Sequence, residues 1–235
     1  MDKVGIVVLN YLNYEDTIEC VESLLDLNYN NYEIVVVDNG SDNKSFEVLK
    51  DEFQDYLNVY LLNTKKNLGY AKGNNYGIDF CRNELRADHI MVINNDTIAE
   101  DKSLLNSLIS NKDKGLVLGP KVINLNDNNQ NPARVFSTKF VLKKLIYFIT
   151  KTLFIYNLIK KMRFKKKKLI QKNKFYTENT DKIVLHGSCL FFTDNFFEYY
   201  NGFFDKTFLY FEEDILYLLL KKSGNKFGYV KDTYI

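Results

Sequence analysis

The sequence predicts an α/β fold in which an open, mostly parallel β-sheet is flanked by helices. Three observations predict it. Short segments rich in Val and Ile recur along the first half of the chain, amphipathic stretches separate them, and the composition is that of a globular protein, with 46% hydrophobic and 26% charged residues. A length of 235 residues suits one large domain, or one domain that carries an insertion.

Four segments have the composition of buried parallel strands, and each is bounded by Asn, Asp or Gly. They are residues 4–9, 33–37, 59–62 and 89–93. Helices are predicted between them over residues 16–25, 44–53 and 70–81, where apolar side chains share one face. Strand and helix units at this spacing predict right-handed crossovers, which place helices on both faces of the sheet.

The regular alternation stops in the middle of the chain. A further helix over residues 101–111 and an apolar run at 116–118 precede a polar loop at 124–131. After residue 182 the pattern becomes regular again: strands are predicted at 183–185 and 189–193, a helix at 212–223 and a last strand at 227–231. We therefore divide the chain into residues 1–123, an insertion at 124–182, and a closing part at 183–235.

The insertion is strongly basic, although the net charge of the whole chain is only +2. No acid lies between Asp127 and Glu178, whereas 14 basic residues do. Within residues 140–174 apolar side chains can share one helical face, but lysines interrupt them too often for a membrane span of about 20 residues. This pattern predicts an interfacial amphipathic helix on an anionic membrane surface. A solvated helix packed on the protein, with a lysine-rich loop, remains the alternative.

Several classes of protein are disfavoured by what the sequence lacks. Three cysteines without a CxxC pair give neither a disulfide framework nor a zinc site, and no signal-peptide pattern is present, so a reducing cytoplasm is the expected location. A GxGxxG fingerprint, a Walker lysine motif and a GxSxG elbow are missing. The near-neutral net charge also argues against nucleic acid as a partner.

Polar residues follow each of the first four predicted strands, and in a parallel sheet these carboxyl ends face one crevice. They are Asn10 and Tyr11, the run 38–41, Asn63, and the run 94–96. Turn formation and helix capping are the alternative explanation for any single one of them. Together with the Asn- and Gly-rich loop 67–77, they supply what a nucleoside diphosphate requires. Asp38 can accept a hydrogen bond from a pyrimidine imide, Lys72 of that loop can face phosphate, and Asp96 can hold Mg²⁺ or Mn²⁺. The rings of Tyr11 and Tyr70 could stack on a base or a sugar.

Three consecutive acids, Glu212, Glu213 and Asp214, begin the helix predicted near the end of the chain. The positive end of the helix dipole explains one or two of them. Mutual repulsion among the three is expected to raise at least one pKa toward the range of a general base.

Five motifs, in this order, resemble those of the family 2 glycosyltransferases of GT-A fold, and most of all the rhamnosyltransferase-like enzymes of bacterial surface polysaccharides. They are IVVLNY at 6–11, VVVDNGS at 35–41, NLGYAKGNNYG at 67–77, INNDT at 93–97, and GFFD at 202–205 followed by FLYFEED at 208–214. The resemblance implies a nucleotide-sugar-binding half at 1–123 and an acceptor-side half at 183–235.

The resemblance also implies roles for individual residues. Asp38 binds uracil or thymine in a pocket lined by Asn10 and Tyr11, and Asp96, next to Asn95, is the metal carboxylate. The diphosphate and nucleoside are framed by Asn67, Gly69, Lys72 and Asn74, and the donor sugar is faced by Gly187 and Ser188. The catalytic base lies in the acidic cluster, where Glu213 aligns best and Asp214 is one residue away, so both remain candidates.

The expected function is inverting transfer of a sugar, rhamnose by resemblance, from a UDP- or dTDP-sugar to a hydroxyl of a surface polysaccharide or lipid-linked acceptor at the inner face of the membrane. The sequence departs from the family pattern in three places. Asn94 stands where many members have an acid, and the acid that usually directly precedes the position of Leu216 is missing. The chain also ends at Ile235, where members usually continue, which predicts a truncated or short form. A non-catalytic scaffold relative at the membrane is the alternative. A nucleotidyltransferase is disfavoured because no Gly-rich basic loop follows the first strand.

Overall fold

The computed structural model describes residues 1–136 and 182–235. The first half alternates strands and helices: β1 (Val4–Asn10), α1 (Tyr14–Leu25), β2 (Tyr32–Asp38), α2 (Ser45–Phe53), β3 (Val59–Asn63), α3 (Tyr70–Asn83), β4 (His89–Asn94) and α4 (Leu104–Ser110). The second half contains β5 (Val117–Lys121), β6 (Arg134–Val135), β7 (Ile183–Val184), β8 (Cys189–Phe192), α5 (Glu212–Lys222) and β9 (Phe227–Tyr234). Short 3₁₀ turns lie at Lys112–Lys114 and Asp194–Glu198.

Seven strands form one sheet in the order β3-β2-β1-β4-β8-β5-β9. The first four pair in parallel, β5 is parallel to β9, and β8 runs antiparallel between β4 and β5. The predicted α/β class with a mostly parallel sheet is therefore confirmed. The antiparallel β8 was not predicted, because the composition of a short buried strand does not indicate its direction.

Helices cover both faces of the sheet, as alternate residues of β1 show. Ile6 and Val8 pack in one apolar core with buried residues of α1, α2 and α4. Val7 packs in a second core with residues of α3 and α5. The helix α3 lies close to the strands, since a Cβ atom at Gly77 would be only 2.6 Å from Cγ1 of Val7.

Two helix ends differ from the prediction because of local side-chain hydrogen bonds. The helix α1 begins earlier, at Tyr14, where the Asn13 side chain accepts a hydrogen bond from the backbone N–H of Asp16. The helix α4 begins only at Leu104, because Asp101 Oδ1 accepts hydrogen bonds from both the N–H and the Oγ of Ser103, at 2.9 and 2.7 Å. Such bonds compete with helical backbone hydrogen bonds.

The small antiparallel ladder of β6 and β7 joins the two described parts of the chain. The N–H of Phe136 donates to the carbonyl of Lys182 at 2.7 Å, so the chain re-enters the described region beside the point where it leaves it. The predicted basic segment 140–174 lies outside the described residues, and the three-part division of the chain stays a prediction. Among the residues that are described, no helix has the length and hydropathy required to cross a membrane.

Candidate functional site

The carboxyl ends of β1, β2 and β3 meet in a hydrogen-bonded cluster around Asp38. The Asp38 carboxylate accepts hydrogen bonds from Asn10 Nδ2 at 2.7 Å, from the N–H of Ser41 at 3.0 Å and from Asn63 Nδ2 at 3.4 Å. Asp38 and Asn10 are both fully buried. Asp38 therefore fixes the loop that follows β2, and a pyrimidine ring reaches its carboxylate only if this loop shifts.

The loop after β1 is tied to the loop after β2. The N–H of Leu12 donates to Ser41 Oγ at 2.9 Å, and Asn43 Nδ2 donates to the Leu12 carbonyl at 3.0 Å. Leu12 has a positive φ of 65°, and Tyr11 beside it is 44% exposed. The ring of Tyr11 is thus free to contact a ligand at the mouth of the crevice.

A pair of amides fixes the loop that leads into α3. Asn67 Oδ1 accepts hydrogen bonds from Asn39 Nδ2 at 3.2 Å and from the N–H of Gly69 at 2.8 Å. Asn39 Oδ1 in turn accepts from the N–H of Leu68 at 3.0 Å. The oxygen of the predicted ligand Asn67 is therefore used inside the protein, and Gly69, with φ of 82°, turns the chain into the helix.

Two residues near the amino end of α3 that were predicted to bind the donor differ in exposure. Lys72 is exposed in the first turn, where a cation can reach phosphate, whereas Asn74 is buried and its Nδ2 donates to the Tyr70 carbonyl at 3.0 Å. The carbonyl of Phe208 accepts a hydrogen bond from the N–H of Tyr70 at 2.9 Å. The loop before α5 therefore covers part of this helix end.

The last residue of β4, Asn94, and the two residues that follow it face different surroundings. Asn94 Oδ1 accepts a hydrogen bond from the Tyr70 hydroxyl at 3.2 Å, and Asn95 Nδ2 donates to Thr17 Oγ1 on α1 at 3.0 Å. Asp96 is exposed, and within residues 1–136 and 182–235 its carboxylate accepts no hydrogen bond. Of this motif, the carboxylate of Asp96 is thus the group that is available to a ligand.

One carboxylate can take part in binding the divalent cation that the sequence resemblance implies. The described part of the chain holds no group of three or more His, Cys, Asp or Glu side chains that could bind a metal by itself. Mg²⁺ and related ions at phosphate sites typically use one or two carboxylates and take their other ligands from substrate phosphates and water. Asp96 fits a cation of that kind, shared with a bound diphosphate.

A cavity of about 240 Å³ lies between the end of β4, the start of β8 and the first turn of α5. Its lining brings together Gly187, Ser188 and Glu213, which are far apart in sequence, with Tyr70, Asn94 and His186. A Cβ atom at Gly187 would be 2.7 Å from Glu213 Oε1, so the carboxylate rests against the backbone of Gly187. The two predicted sugar-facing residues and one candidate base therefore share one cavity.

The two candidate bases differ in their surroundings. Asp214 is 2% exposed, and its Oδ1 forms an ion pair with Arg134 Nη2 at 2.6 Å. Glu213 is partly exposed and lines the cavity. Glu213 is therefore accessible to an acceptor hydroxyl, whereas Asp214 fixes the first turn of α5 to the strand β6.

The charges of Glu213 and Asp96 both influence Tyr70 and His186, which line the cavity. Burial raises the pKa of Tyr70 far above its ordinary value, and the negative charges of Glu213 and Asp96 add to this effect. Burial lowers the pKa of His186, as does Arg134, while the charges of Glu213 and Asp96 oppose the shift. Tyr70 and His186 are therefore neutral polar groups of the cavity at neutral pH.

His186 is held by backbone and side-chain groups of its own loop. Its Nδ1 accepts a hydrogen bond from the N–H of Ser188 at 3.3 Å, and the Ser188 hydroxyl lies 2.8 Å away from the same atom. Asn131, which is buried, accepts from the N–H of His186 at 3.1 Å. The imidazole proton then resides on Nε2.

Arg134 and Asn131 are site-supporting residues that sequence reasoning missed. Arg134 was counted with the basic insertion, and Asn131 with a polar loop, because composition does not distinguish a buried polar residue from a solvated one. One feature of the sequence could have indicated a separate role for Arg134: it is the first of the 14 basic residues and is separated from the next one, Lys139.

A protein-family model described as Glycosyl transferase family 2 matches residues 4–199 of the chain. The chain belongs to this family. The match ends before the acidic cluster of α5, so the assignment of the base rests on geometry. The glycosyltransferase GlyG of Streptococcus pneumoniae is 29% identical over 118 residues, which cover 49% of this chain and 38% of GlyG. The chain thus spans well under two thirds of this relative's length.

Solved structures show the same fold at low sequence identity. S. aureus TarS 1–349 matches with a TM-score of 0.62 and 14% identity, over 99% of this chain and 60% of that chain. The mannosyltransferase PcManGT from Pyrobaculum calidifontis, in complex with GDP-Man and Mn²⁺, matches with a TM-score of 0.63 and 14% identity, over 99% of this chain and 55% of that chain. These likenesses confirm the predicted fold class.

Proposed function

We propose that the chain is an inverting glycosyltransferase that moves a sugar from a UDP- or dTDP-sugar to an acceptor hydroxyl. The observation that carries the proposal is the cavity in which Glu213 rests on Gly187 beside Tyr70 and His186. The exposed Asp96 follows β4, whose last residue, Asn94, lines the same cavity. Membership of glycosyl transferase family 2 supports it.

The donor would lie along the carboxyl ends of the first strands. Tyr11 offers an exposed ring for the base, and Asp38, with Asn10, sets the loops that border it. Lys72, in the first turn of α3, would face the diphosphate. A Mg²⁺ or Mn²⁺ ion bound by Asp96, donor phosphate and water would neutralise charge on the diphosphate.

Glu213 would act as the general base. It takes the proton from the acceptor hydroxyl while that oxygen bonds to the anomeric carbon and the bond from this carbon to the diphosphate oxygen breaks, so the configuration inverts in a single displacement. The Arg134–Asp214 ion pair holds the first turn of α5 and thereby positions Glu213.

Binding of UDP and dTDP, with and without Mn²⁺, tests the donor site by isothermal titration calorimetry. We expect Mn²⁺-dependent binding by the wild type, weakened by about tenfold or more in Asp38→Ala and Asp96→Ala. Asp55→Ala, which removes an exposed carboxylate after α2, is the matched control. Absence of nucleotide binding by the wild type, or equal binding by all variants, would contradict the proposal.

The sugar and the acceptor rest on the sequence resemblance. Rhamnose is the sugar that it implies, and PcManGT shows that a protein of this fold can bind GDP-Man. We therefore expect a panel of dTDP-rhamnose, UDP-sugars and GDP-mannose to show selective turnover of dTDP-rhamnose. Turnover of another donor alone would reassign the sugar.

A cytoplasmic location at the inner face of the membrane, with a surface polysaccharide or lipid-linked glycan as acceptor, is the remaining part of the proposal. It rests on the charge of residues 140–174. Deleting residues 140–174 should weaken binding to anionic liposomes. Unchanged liposome binding after the deletion would contradict the proposed location at the membrane.

A non-catalytic nucleotide-sugar-binding protein is the second candidate. One observation favours it: Asn94, where many family members have an acid, binds the Tyr70 hydroxyl through its amide oxygen at 3.2 Å. This candidate predicts that the chain binds UDP or dTDP but turns over no nucleotide sugar of the panel.

A further inference from the structure

A cleft lined by lysines lies at the edge of the sheet opposite to the candidate site. It has a volume of about 560 Å³ and is bordered by the starts of β5 and β9, the turn Lys112–Lys114 and the end of α5. Its charged lining comprises Lys112, Asp113, Lys114, Lys182, Lys221 and Lys226. Five cations thus meet one acid around a concave surface.

Strand directions place the cleft away from the candidate site. Both β4 and β5 are antiparallel to β8, and β9 is parallel to β5, so the starts of β5 and β9 lie at the amino edge of the sheet. The helix α5 connects the two places: its first turn carries Glu213 and its last turn carries Lys221. Its 11 residues span about 16 Å, and the cleft and the cavity share no lining residue, so a ligand in the cleft is distinct from the donor.

The helix dipole does not explain this concentration of lysines. It favours cations in the last turn of α5, which accounts for Lys221 and for Lys222, a residue outside the cleft lining. The other lysines come from three further segments, at 112–114, 182 and 226. Separate parts of the chain therefore bring positive charge to one place.

Three of the five lysines have no carboxylate partner among the described residues. Lys112 is paired with Asp2, at 2.9 Å. Lys114, Lys182 and Lys221 form no ion pair with any residue in 1–136 or 182–235.

We propose that this cleft binds a phosphoanion that carries two or more phosphate groups. Lysine ammonium groups bind phosphate as point charges, and the volume of about 560 Å³ falls within the range of small-molecule pockets. The concave shape suits a discrete ligand, which several ammonium groups contact at once. The phosphates belong either to a soluble polyphosphate-like molecule or to lipid headgroups.

Titration of inorganic tripolyphosphate, in buffer with EDTA, tests the proposal. The cleft variant Lys114→Gln/Lys182→Gln/Lys221→Gln is compared with the control variant Lys44→Gln/Lys50→Gln/Lys222→Gln, whose lysines are exposed outside the cleft lining. We expect the wild type to bind, the cleft variant to bind about tenfold more weakly, and the control to bind like the wild type. Binding should also weaken as salt is added.

Vesicles that contain phosphatidylglycerol, compared with vesicles of phosphatidylcholine alone, distinguish the source of the phosphate. If the cleft variant loses binding to phosphatidylglycerol vesicles, the ligand of the cleft is a lipid headgroup. If it loses tripolyphosphate binding but still binds these vesicles, the ligand is a soluble molecule. Equal binding of both probes by the wild type, cleft variant and control variant overturns the proposal. If the triple variant unfolds, the three single substitutions are compared, and each should weaken binding.

The test does not depend on the proposed glycosyltransferase function. UDP binding by the cleft variant should equal that of the wild type, since the lysines lie at the other edge of the sheet. Failure of UDP binding in every variant would contradict the proposed function alone.

Discussion

At the scale of single residues, the candidate site depends on the contact between Gly187 and Glu213. These residues belong to separate motifs, and the fold brings the carboxylate to where a Cβ atom of residue 187 would lie, at 2.7 Å from Oε1. Residue 187 must therefore be a glycine if the Glu213 carboxylate is to keep its present position.

We expect Gly187→Ala to displace the Glu213 carboxylate and to lower turnover of the nucleotide sugar by about 10²-fold, the smaller end of the range for a misplaced general base. UDP affinity, measured by calorimetry, should change little. Gly224→Ala is the control: it strains a backbone with φ of 75° that has open space around it, far from the cavity. Equal turnover by Gly187→Ala and the wild type would show that Glu213 does not need its present position.

The ion pair between Arg134 and Asp214 gives a second prediction. Arg134→Ala leaves the 2%-exposed Asp214 carboxylate without this partner, and we expect a loss of about 3 kcal/mol of unfolding free energy in urea titrations. Arg134→Ala combined with Asp214→Asn should lose less than the sum of the two single variants, because the charge that needs the partner is gone. Additive losses would mean that the two side chains act independently.

At the scale of elements, α3 holds the loop that precedes α5. Asn75 Nδ2 donates to the Phe203 carbonyl at 2.8 Å, and Asn75 Oδ1 accepts from the Phe203 N–H at 2.8 Å. Further along this loop, Tyr210 and Phe211 both have φ of 74°. The side chain of Asn75 thus helps to hold a strained loop that ends directly at the acidic turn.

Asn75→Ala should lower the unfolding free energy by about 2 kcal/mol, because two hydrogen bonds are lost together. Asn75→Asp keeps the acceptor for the Phe203 N–H but places a carboxylate oxygen against the Phe203 carbonyl, so its loss should be at least as large. Urea unfolding measures both values. The idea that α3 holds this loop would be wrong if both variants were as stable as the wild type.

The strands and helices of the first half were predictable from the sequence, because the spacing of apolar residues that distinguishes a strand from a helix can be seen within one short segment. The ends of α1 and α4 were not, since they depend on whether Asn13 and Asp101 bind the neighbouring backbone or solvent. The gathering of Asn10, Asp38 and Asn67 at one edge also followed from the order of the elements. Their mutual hydrogen bonds did not, because an amide can bind a ligand or another amide equally well.

At the scale of the whole molecule, the candidate site and the lysine cleft lie at opposite edges of the sheet. Asp96 and Glu213 lie at the carboxyl edge, and the lysine cleft lies at the amino edge. The amino edge also ties the first residues of the chain to β4 and to the turn after α4. Asp2 Oδ2 accepts hydrogen bonds from Lys112 Nζ at 2.9 Å and from His89 Nε2 at 3.1 Å. The Nδ1 atom of His89 accepts from the N–H of Asp194 at 2.9 Å, which leaves the proton on Nε2.

This arrangement predicts a pH-dependent part of the stability. The hydrogen bond from Lys112, followed by that from His89, lowers the pKa of Asp2 below its ordinary value of 3.8. The unfolded chain therefore binds more protons as the pH falls, so the stabilisation is present above pH 3.8 and is lost as the pH falls through the folded pKa.

We expect Asp2→Asn to be less stable than the wild type near neutral pH, with a difference that shrinks as the pH falls below 3.8. Thermal unfolding across this range measures the difference. Asp26→Asn, which removes the exposed partner of Lys102, should change stability little at any pH. A difference for Asp2→Asn that does not vary with pH would contradict the contribution of the charged pair.

The most direct measurement is the turnover of a nucleotide sugar by the wild type, Glu213→Gln and Asp214→Asn, with UDP or dTDP binding followed in parallel. We expect Glu213→Gln to bind the nucleotide like the wild type and to lose turnover by about 10²-fold to 10⁴-fold, because the amide cannot take a proton. Full turnover by Glu213→Gln, with turnover lost in a stably folded Asp214→Asn, would make Asp214 the base and contradict the proposed role of Glu213.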